Sequence, residues 1–214
     1  MAGAGSMTAE LYGLRLRTPR VELRLPKHNE LLELRDVAHA GIHPPEEMPF
    51  GVAWTDEPYS ESFVVEFLEA QLAEWRPDEW NLNLGVWGDR QLAGIQTLHG
   101  ADFPSTRTVG TGSWLGQAFQ GRGYGTEMRA AVLELAFRGL GAVAATSGAM
   151  DVNVASRRVS EKLGYRIVGH GEVRPRGTPV PHLDLRIERE DWQSPVPVEI
   201  EGLAPCLHLF VGRV

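Results

Sequence analysis

The chain of 214 residues holds a single cysteine, Cys206, so no internal disulfide can form, which suits a reducing compartment. That cysteine lies in Leu203-Ala204-Pro205-Cys206-Leu207, apart from every candidate site, which argues against a catalytic thiol. No apolar run is long enough to span a bilayer. The opening Met1-Ala2-Gly3-Ala4-Gly5-Ser6 lacks the basic and apolar regions of a secretory signal, so a cytoplasmic protein is expected. There is no basic run, and the formal net charge of −7 gives no general attraction to nucleic acid phosphates. That acidity serves solubility and would also favour basic substrates. No His, Cys, Asp or Glu cluster has metal-ligand spacing, so no metal is expected. A nucleophile elbow is absent too, and with it a Ser-His-Asp site of that type. Repeats and low-complexity linkers are missing. What remains is enough for a sizeable core, at 43% hydrophobic residues.

The most informative stretch is Gln120-Gly121-Arg122-Gly123-Tyr124-Gly125, followed at once by Thr126 to Phe137. Glycines at alternate positions let a backbone turn tightly with no Cβ in the way. The run after them reads as a helix, because Met128, Val132, Leu135 and Ala136 recur at three and four residues with Glu and Arg between. Gly112 to Gly116 before them reads as a strand. Strand, glycine loop and helix start make an anion site, with converging N–H groups and about half a positive charge from the helix dipole. A pyrophosphate is the natural ligand. A P-loop would need Gly-Lys-Ser/Thr after the glycines, and no Lys follows. A dinucleotide fingerprint would need G-x-G-x-x-G, whereas this loop is G-x-G-x-G.

A second constellation follows the small, β-branched strand candidate Ala142 to Ser147. It is Asn153-Val154-Ala155-Ser156, a short helix, and Lys162-Leu163-Gly164-Tyr165. Asn153 suits a helix N-cap, Val159 and Leu163 form a buried stripe, and Gly164 suits the left-handed residue that ends a helix. Gln120-x-x-Gly123-x-Gly125 and Asn153-x-x-Ser156 with Leu163-Gly164-Tyr165, in this order, resemble the motifs of the GCN5-related N-acetyltransferase (GNAT) superfamily. The resemblance is to the ribosomal-protein N-terminal acetyltransferase branch. Met48-Pro49-Phe50, Trp54-Thr55 and Gly112 to Gly116 are also similar to an actinobacterial acyltransferase associated with succinyl-CoA.

Elsewhere the patterns are local. Arg20 to Leu25 alternates as a strand that Pro26 stops, and Asn29 is placed to cap a helix through Leu31, Leu34 and Val37. Gly41 to Trp54 carries prolines and glycines that forbid a helix, yet its Met, Phe and Trp forbid a plain solvent loop. It either packs on the core or lines a ligand groove. Ser60 or Ser62 would cap a helix from Phe63 to Trp75. Asn81 to Trp87 and Gln91 to Leu98 predict a hairpin around Gly88-Asp89, and Arg107 to Leu115 completes a meander. Two more strands follow, near Arg166 to Arg174 and His182 to Ile187. The expected fold is α+β, one GNAT-like domain with a mixed sheet flanked by helices and splayed at the glycine loop. Residues 1–12 are read as a flexible N-terminus, 13–193 as the acyltransferase domain and 194–214 as an extended appendage that would serve as a dimer contact.

The resemblance implies coenzyme A as cofactor, an acyl-CoA donor and an amine acceptor. It places Ser113, Trp114 and Leu115 against the pantetheine. Gln120, Gly121, Arg122, Gly123, Tyr124, Gly125 and Thr126 fall on the pyrophosphate, and Asn153 and Ser156 near the thioester. Met48, Phe50 and Trp54 fall on the acceptor-side wall. Many family members carry a Tyr seven residues after the Asn as proton donor to the leaving thiolate; in this chain position 160 is serine. The acid role therefore passes to Ser156, whose plain alternative is a first-turn hydroxyl that satisfies a backbone N–H. The branch's base, a Glu after the Gly-Tyr strand, aligns with Pro175, so Glu172 is the substitute. His99, Asp102 and His182 are further candidates without a motif. The absent Tyr leaves a second reading, a non-catalytic acyl-CoA sensor. The expected donor is acetyl-CoA, with succinyl-CoA as the alternative.

Overall fold

One sheet joins all the strands; burial alternates along strands toward its edges, as at Val21–Arg24 and Val180–Glu188, while the central strands are buried on both faces. A computed structural model describes residues 4–56 and 63–212. The chain opens with helix α1 (Ala4–Leu11), strands β1 (Arg15–Arg17) and β2 (Val21–Arg24), and helices α2 (His28–His39) and α3 (Phe63–Ala73). A meander follows: β3 (Glu79–Gly88), β4 (Gln91–Ala101), a short α4 (Phe103–Thr106) and β5 (Thr108–Leu115). Helix α5 (Tyr124–Glu134), β6 (Ala144–Met150) and α6 (Val154–Lys162) lead to the hairpin β7 (Arg166–Val173) and β8 (Val180–Glu188). Strand β9 (Glu199–Glu201) and the one-turn helices α7 (Leu203–Cys206) and α8 (His208–Val211) close the chain.

The sheet order is β7-β8-β6-β5-β4-β3-β2-β1-β9. Its one parallel pair, β5 with β6, runs only from Thr108↔Ala144 to Thr111↔Ser147. Beyond that point Gly112 to Leu115 pair with β4 alone and Gly148 to Met150 pair with β8 alone. The sheet is open and splayed there, as the switch from meander to strand–helix units predicts. Two apolar clusters cover its faces. On one face α5 packs over Leu82, Leu84, Val86 and Leu98 together with Leu183, Leu185 and Ile187 of β8. On the other, Leu31 and Leu34 of α2 and Val64 of α3 pack with Leu92 and Ile95, flanked by Trp54 and Trp114. The hairpin between β3 and β4 turns on Asp89 and Arg90, both at positive φ (51° and 66°), the backbone that a tight two-residue loop requires.

Four local expectations change. Residues 4–11 are helical rather than a loose N-terminus, and Leu11 and Leu14 are fully buried. Asn29 lies inside the first turn of α2; the cap is Lys27, whose N–H donates to Glu30 Oε2 at 2.8 Å. The C-terminal stretch is not merely extended. Strand β9 pairs with β1, and Phe210 of α8 packs edge-on against Trp75 and Trp80 at 5.2 and 5.0 Å. Helix α5 is buried all round, Glu127, Arg129 and Glu134 included, where its sequence pattern predicts a polar outer face. The proposed caps Ser60 and Ser62 lie outside the described residues.

Candidate active site

The splay is built by short residues. Glycine at 121 and 123 takes φ of +73° and +86°, a left-handed backbone that L side chains rarely adopt, and this turns the chain into α5. Among the described residues, the N–H groups of Gly121, Arg122, Gly123, Tyr124 and Gly125 have no acceptor, whereas those of Thr126 and Glu127 already bond Gly123 O. Consecutive open N–H groups at the start of an 11-residue helix form an anion-binding surface. Beneath it Glu127 is buried, where its carboxylate accepts from Thr18 Oγ1 at 2.5 Å and from Arg20 Nε at 2.5 Å. The first strands are thereby tied to the head of α5.

The loop's side chains play parts different from those expected. Gln120 Nε2 donates to Ile42 O and Leu115 O, both at 2.8 Å, so this amide braces the loop against β5 and the 41–56 segment. Tyr124 is buried and its hydroxyl donates to Asp89 Oδ2 at 2.5 Å, which holds its phenol pKa above the usual value. Arg122 is exposed, with its guanidinium 5.7 Å from the Phe119 ring, and Thr126 is half-buried.

Across the splay, Asn153 caps α6 as expected. Its Oδ1 accepts from Ser156 N at 3.0 Å, and its Nδ2 donates to Pro49 O at 3.4 Å. Both ends of this amide are therefore engaged by the protein. Ser156 Oγ has no hydrogen-bond partner among the described residues, because Asn153 has taken over the cap. Ser160, at the position of the absent tyrosine, is buried and donates to Ser156 O at 3.2 Å. Tyr165 is buried against the sheet, with its hydroxyl 3.2 Å from Thr111 Oγ1.

Strand alternation assigns each side chain to a face. Ser113 and Ser147 face α5, where both accept from Arg129, at 3.1 and 3.2 Å. Trp114 faces the other way and meets Trp54 at 5.7 Å. Trp54 in turn contacts Phe50 at 5.1 Å, so the apolar 41–56 segment forms a wall on the face opposite α5. A cleft of about 570 Å³ opens there, lined by the end of α2, His43, Trp54, Thr55, Asp56 and Arg176. Arg176 forks onto Asp56 at 2.7 and 2.8 Å and also donates to Pro45 O, holding the β7–β8 turn to the wall. Trp54 lines this cleft; Met48 and Phe50 do not.

Glu172 is not brought to the group. It pairs with Arg174 at 2.7 Å and lies across from Pro181 on β7, whereas its neighbour Val173 points to the wall at Gly51. Alternation therefore turns Glu172 away from the wall face. His182 is on that face, because Leu183 and Leu185 beside it enter the α5 core. Its ring lies over Gly148, at the point where β6 leaves β5, and its Nδ1 is 3.4 Å from Asp184 Oδ1. Sequence reasoning named His182 without a motif and missed Arg129, Arg176 and Asp56. Among the described residues no group of His, Cys, Asp and Glu is arranged to hold a metal ion, and no helix is long and apolar enough to cross a membrane.

A family model described as "Acetyltransferase (GNAT) domain" matches residues 20–166, more than two-thirds of the chain. The chain belongs to the GNAT acetyltransferase family. The match spans β2 to the start of β7 and so contains the glycine loop, the splay and the Asn153 cap. Solved structures similar to this GNAT chain include Mycobacterium smegmatis RimJ in complex with CoA-disulfide. It is 22% identical with a TM-score of 0.71, over 86% of this chain and 92% of that one. A GNAT-family acetyltransferase from Bacillus anthracis is 17% identical with a TM-score of 0.65, over 82% and 99%. The ribosomal-protein-S5-alanine acetyltransferase from Vibrio fischeri is 13% identical with a TM-score of 0.61, over 84% and 98%. At these identities the likeness is one of fold. The GNAT family carries acyl transfer from acyl-CoA.

Proposed function

We propose that this GNAT protein is an N-acyltransferase that moves an acetyl group from acetyl-CoA to a primary amine. The observation that carries the reading is the run of open N–H groups from Gly121 to Gly125 beside the splayed β5–β6 pair. In this reading the pyrophosphate lies on those N–H groups. The pantetheine follows Ser113, Trp114 and Leu115 into the splay, and the acyl group faces the wall. The acceptor amine enters by the cleft at Trp54 and Arg176.

The chemistry needs a neutral amine, an aligned thioester and a proton for the departing sulfur. Thioesters are already activated, so positioning supplies much of the rate. A backbone N–H of β5 beyond the last β6 pair is free to hold the carbonyl oxygen as it gains charge. Ser156, with its hydroxyl uncommitted, gives the sulfur its proton. The base role passes from Glu172 to His182, which shares the wall face and has Asp184 against its ring. Replacing His182 with Gln is expected to lower kcat/KM about tenfold while leaving coenzyme A affinity unchanged, as steady-state kinetics and calorimetry would show. An unaltered kcat/KM would return the base role to solvent.

A screen of donors against amines with mass detection tests the function as a whole. Acceptor-dependent release of thiol is expected. Tight binding of coenzyme A with no acceptor-dependent release would make the protein an acyl-CoA sensor instead. The same screen decides the donor. The family's general chemistry favours acetyl-CoA, while the Met48-Pro49-Phe50 and Gly112 to Gly116 likeness favours succinyl-CoA. A tenfold advantage in kcat/KM for succinyl-CoA with a shared amine would reverse the preference for acetyl-CoA.

A further inference from the structure

Helix α5 buries three charged side chains, and two of them are neutralised. Glu127 meets Arg20 at 2.5 Å, and Glu134 meets Arg138 at 2.9 Å and Trp192 Nε1 at 2.8 Å. Arg129 is different. It is 3% exposed and has no carboxylate partner among the described residues. Its Nε has no hydrogen-bond partner among the described residues. A buried cation without a counter-charge works against folding, and an apolar side chain of similar size is commonly as stable or more so. The surroundings are three serines. Arg129 donates to Ser113 Oγ of β5 at 3.1 Å, Ser147 Oγ of β6 at 3.2 Å and Ser160 Oγ of α6 at 3.5 Å. Tyr165, also buried, is its titratable neighbour among the described residues, and the guanidinium counteracts the upward push of burial on that phenol.

The serines do not have equal freedom. Ser147 gives its hydrogen to Thr111 O at 3.3 Å, and Ser160 gives its own to Ser156 O at 3.2 Å. Ser113 accepts from the guanidinium and has no acceptor for its hydrogen among the described residues. It is also half-exposed and lies beyond Thr111↔Ser147, the last β5–β6 pair, so it borders the open part of the splay. A hydroxyl that accepts from a cation is a stronger donor in turn. The arrangement is a buried positive charge presented to the splay through one hydroxyl.

We propose that Arg129, acting through the Ser113 hydroxyl, stabilises the negative charge that forms on the coenzyme A sulfur during acyl transfer; this rests on the acyl-CoA reading above. Ser113, Ser156 and the glycine loop are on the α5–α6 side of the sheet, and the acceptor wall is on the other. The charge that develops on the α5–α6 side is therefore that of the sulfur. The amine nitrogen bonds to the acyl carbon, the carbon–sulfur bond breaks, and its electron pair goes to sulfur. The sulfur then takes the Ser156 proton, which solvent replaces, and the amine's surplus proton goes to His182. Arg129 and Ser113 transfer no proton. Arg129 is a positioning residue and Ser113 the group that touches sulfur.

The test is the ionisation of coenzyme A itself on the protein, followed by the ultraviolet absorbance of the thiolate. Bound to the unaltered protein, coenzyme A is expected to ionise about one pH unit or more below free coenzyme A, a tenfold change in the equilibrium. Arg129→Met and Ser113→Ala should both bring the bound thiol back to the free value, Arg129→Lys should fall between, and kcat should drop about tenfold with little change in donor KM. Arg129→Met should melt no lower than the unaltered protein, since it removes an unpaired buried charge. If Arg129→Met fails to fold, the Ser113→Ala titration, which leaves the buried guanidinium in place, decides the inference by itself. A bound thiol that ionises as in free solution, or one unmoved by Ser113→Ala, overturns the inference while leaving the acyl-CoA site in place. Absence of coenzyme A binding would overturn that site as well.

Discussion

A Gly125→Asp variant is expected to bind coenzyme A about 100-fold more weakly, about 2.7 kcal/mol, with its fold intact. The three loop glycines are not equivalent tests. Gly121 and Gly123 have positive φ, and a Cβ on Gly123 would come within 2.6 Å of Arg20 Nη2, so substitutions there mix backbone strain with lost binding. Gly125 lies in the helix, and a Cβ there meets only Val159 Cγ2, at an ordinary 3.5 Å. A carboxylate in the first turn of α5 interacts favourably with the helix dipole and so does not threaten the fold. It does put negative charge where the pyrophosphate would lie, beside the open N–H groups of the loop. Calorimetric titration with coenzyme A and a melting curve check both halves. Affinity within threefold of the unaltered protein would remove the glycine loop from the binding site.

Ser156→Ala is the second large effect expected, a fall in kcat of about 10- to 1000-fold, the lower end reflecting how readily a thiolate departs. The structure makes this a clean substitution. The backbone N–H of residue 156 keeps its bond to Asn153 Oδ1, and the lost hydroxyl had no protein partner among the described residues. Alanine also suits the first turn of a helix. Coenzyme A affinity should change less than twofold. Equal losses in affinity and turnover would show that the serine positions the cofactor and has no part in proton transfer.

The fold could be read wherever a local period survived. The β3–β4 hairpin, the helix after the glycines and the Asn153 cap each follow from residues within a dozen positions of one another. What escaped was set by distance or by brevity. Strand β1 is Arg-Leu-Arg and β9 is Glu-Ile-Glu, too short for alternation to register, and they find each other across nearly the whole chain. The one-turn helices after Gly202 are likewise shorter than any helical period. In α5 the period misled. Glu127 and Glu134 fall where a polar outer face would be, yet Thr18 and Arg20 between the first strands and Trp192 of the tail cover that face too, while Arg129 turns to the sheet and its serines. Of the site, the backbone features were legible and the side-chain roles less so. The glycine spacing gave the loop, but only the structure shows Gln120 spent on Ile42 and Leu115, and Glu172 turned from the wall.

The pairing of β1 with β9 bears on how the protein is made. Arg15 faces Glu201 and Arg17 faces Glu199, so the first strand of the sheet waits for a segment translated much later than itself. Until then Trp75 and Trp80 have no Phe210 against them, and the Trp75 indole N–H has no Leu209 carbonyl to bond. Closing so long a loop costs only slightly more than closing a short one, since the entropy grows with the logarithm of length. The delay is one of time: translation at about 5–20 residues per second leaves that edge uncovered for roughly 10 to 40 seconds. The nascent chain thus carries one end of its sheet unfinished until β9 and Phe210 have emerged, and those late segments act as the latch.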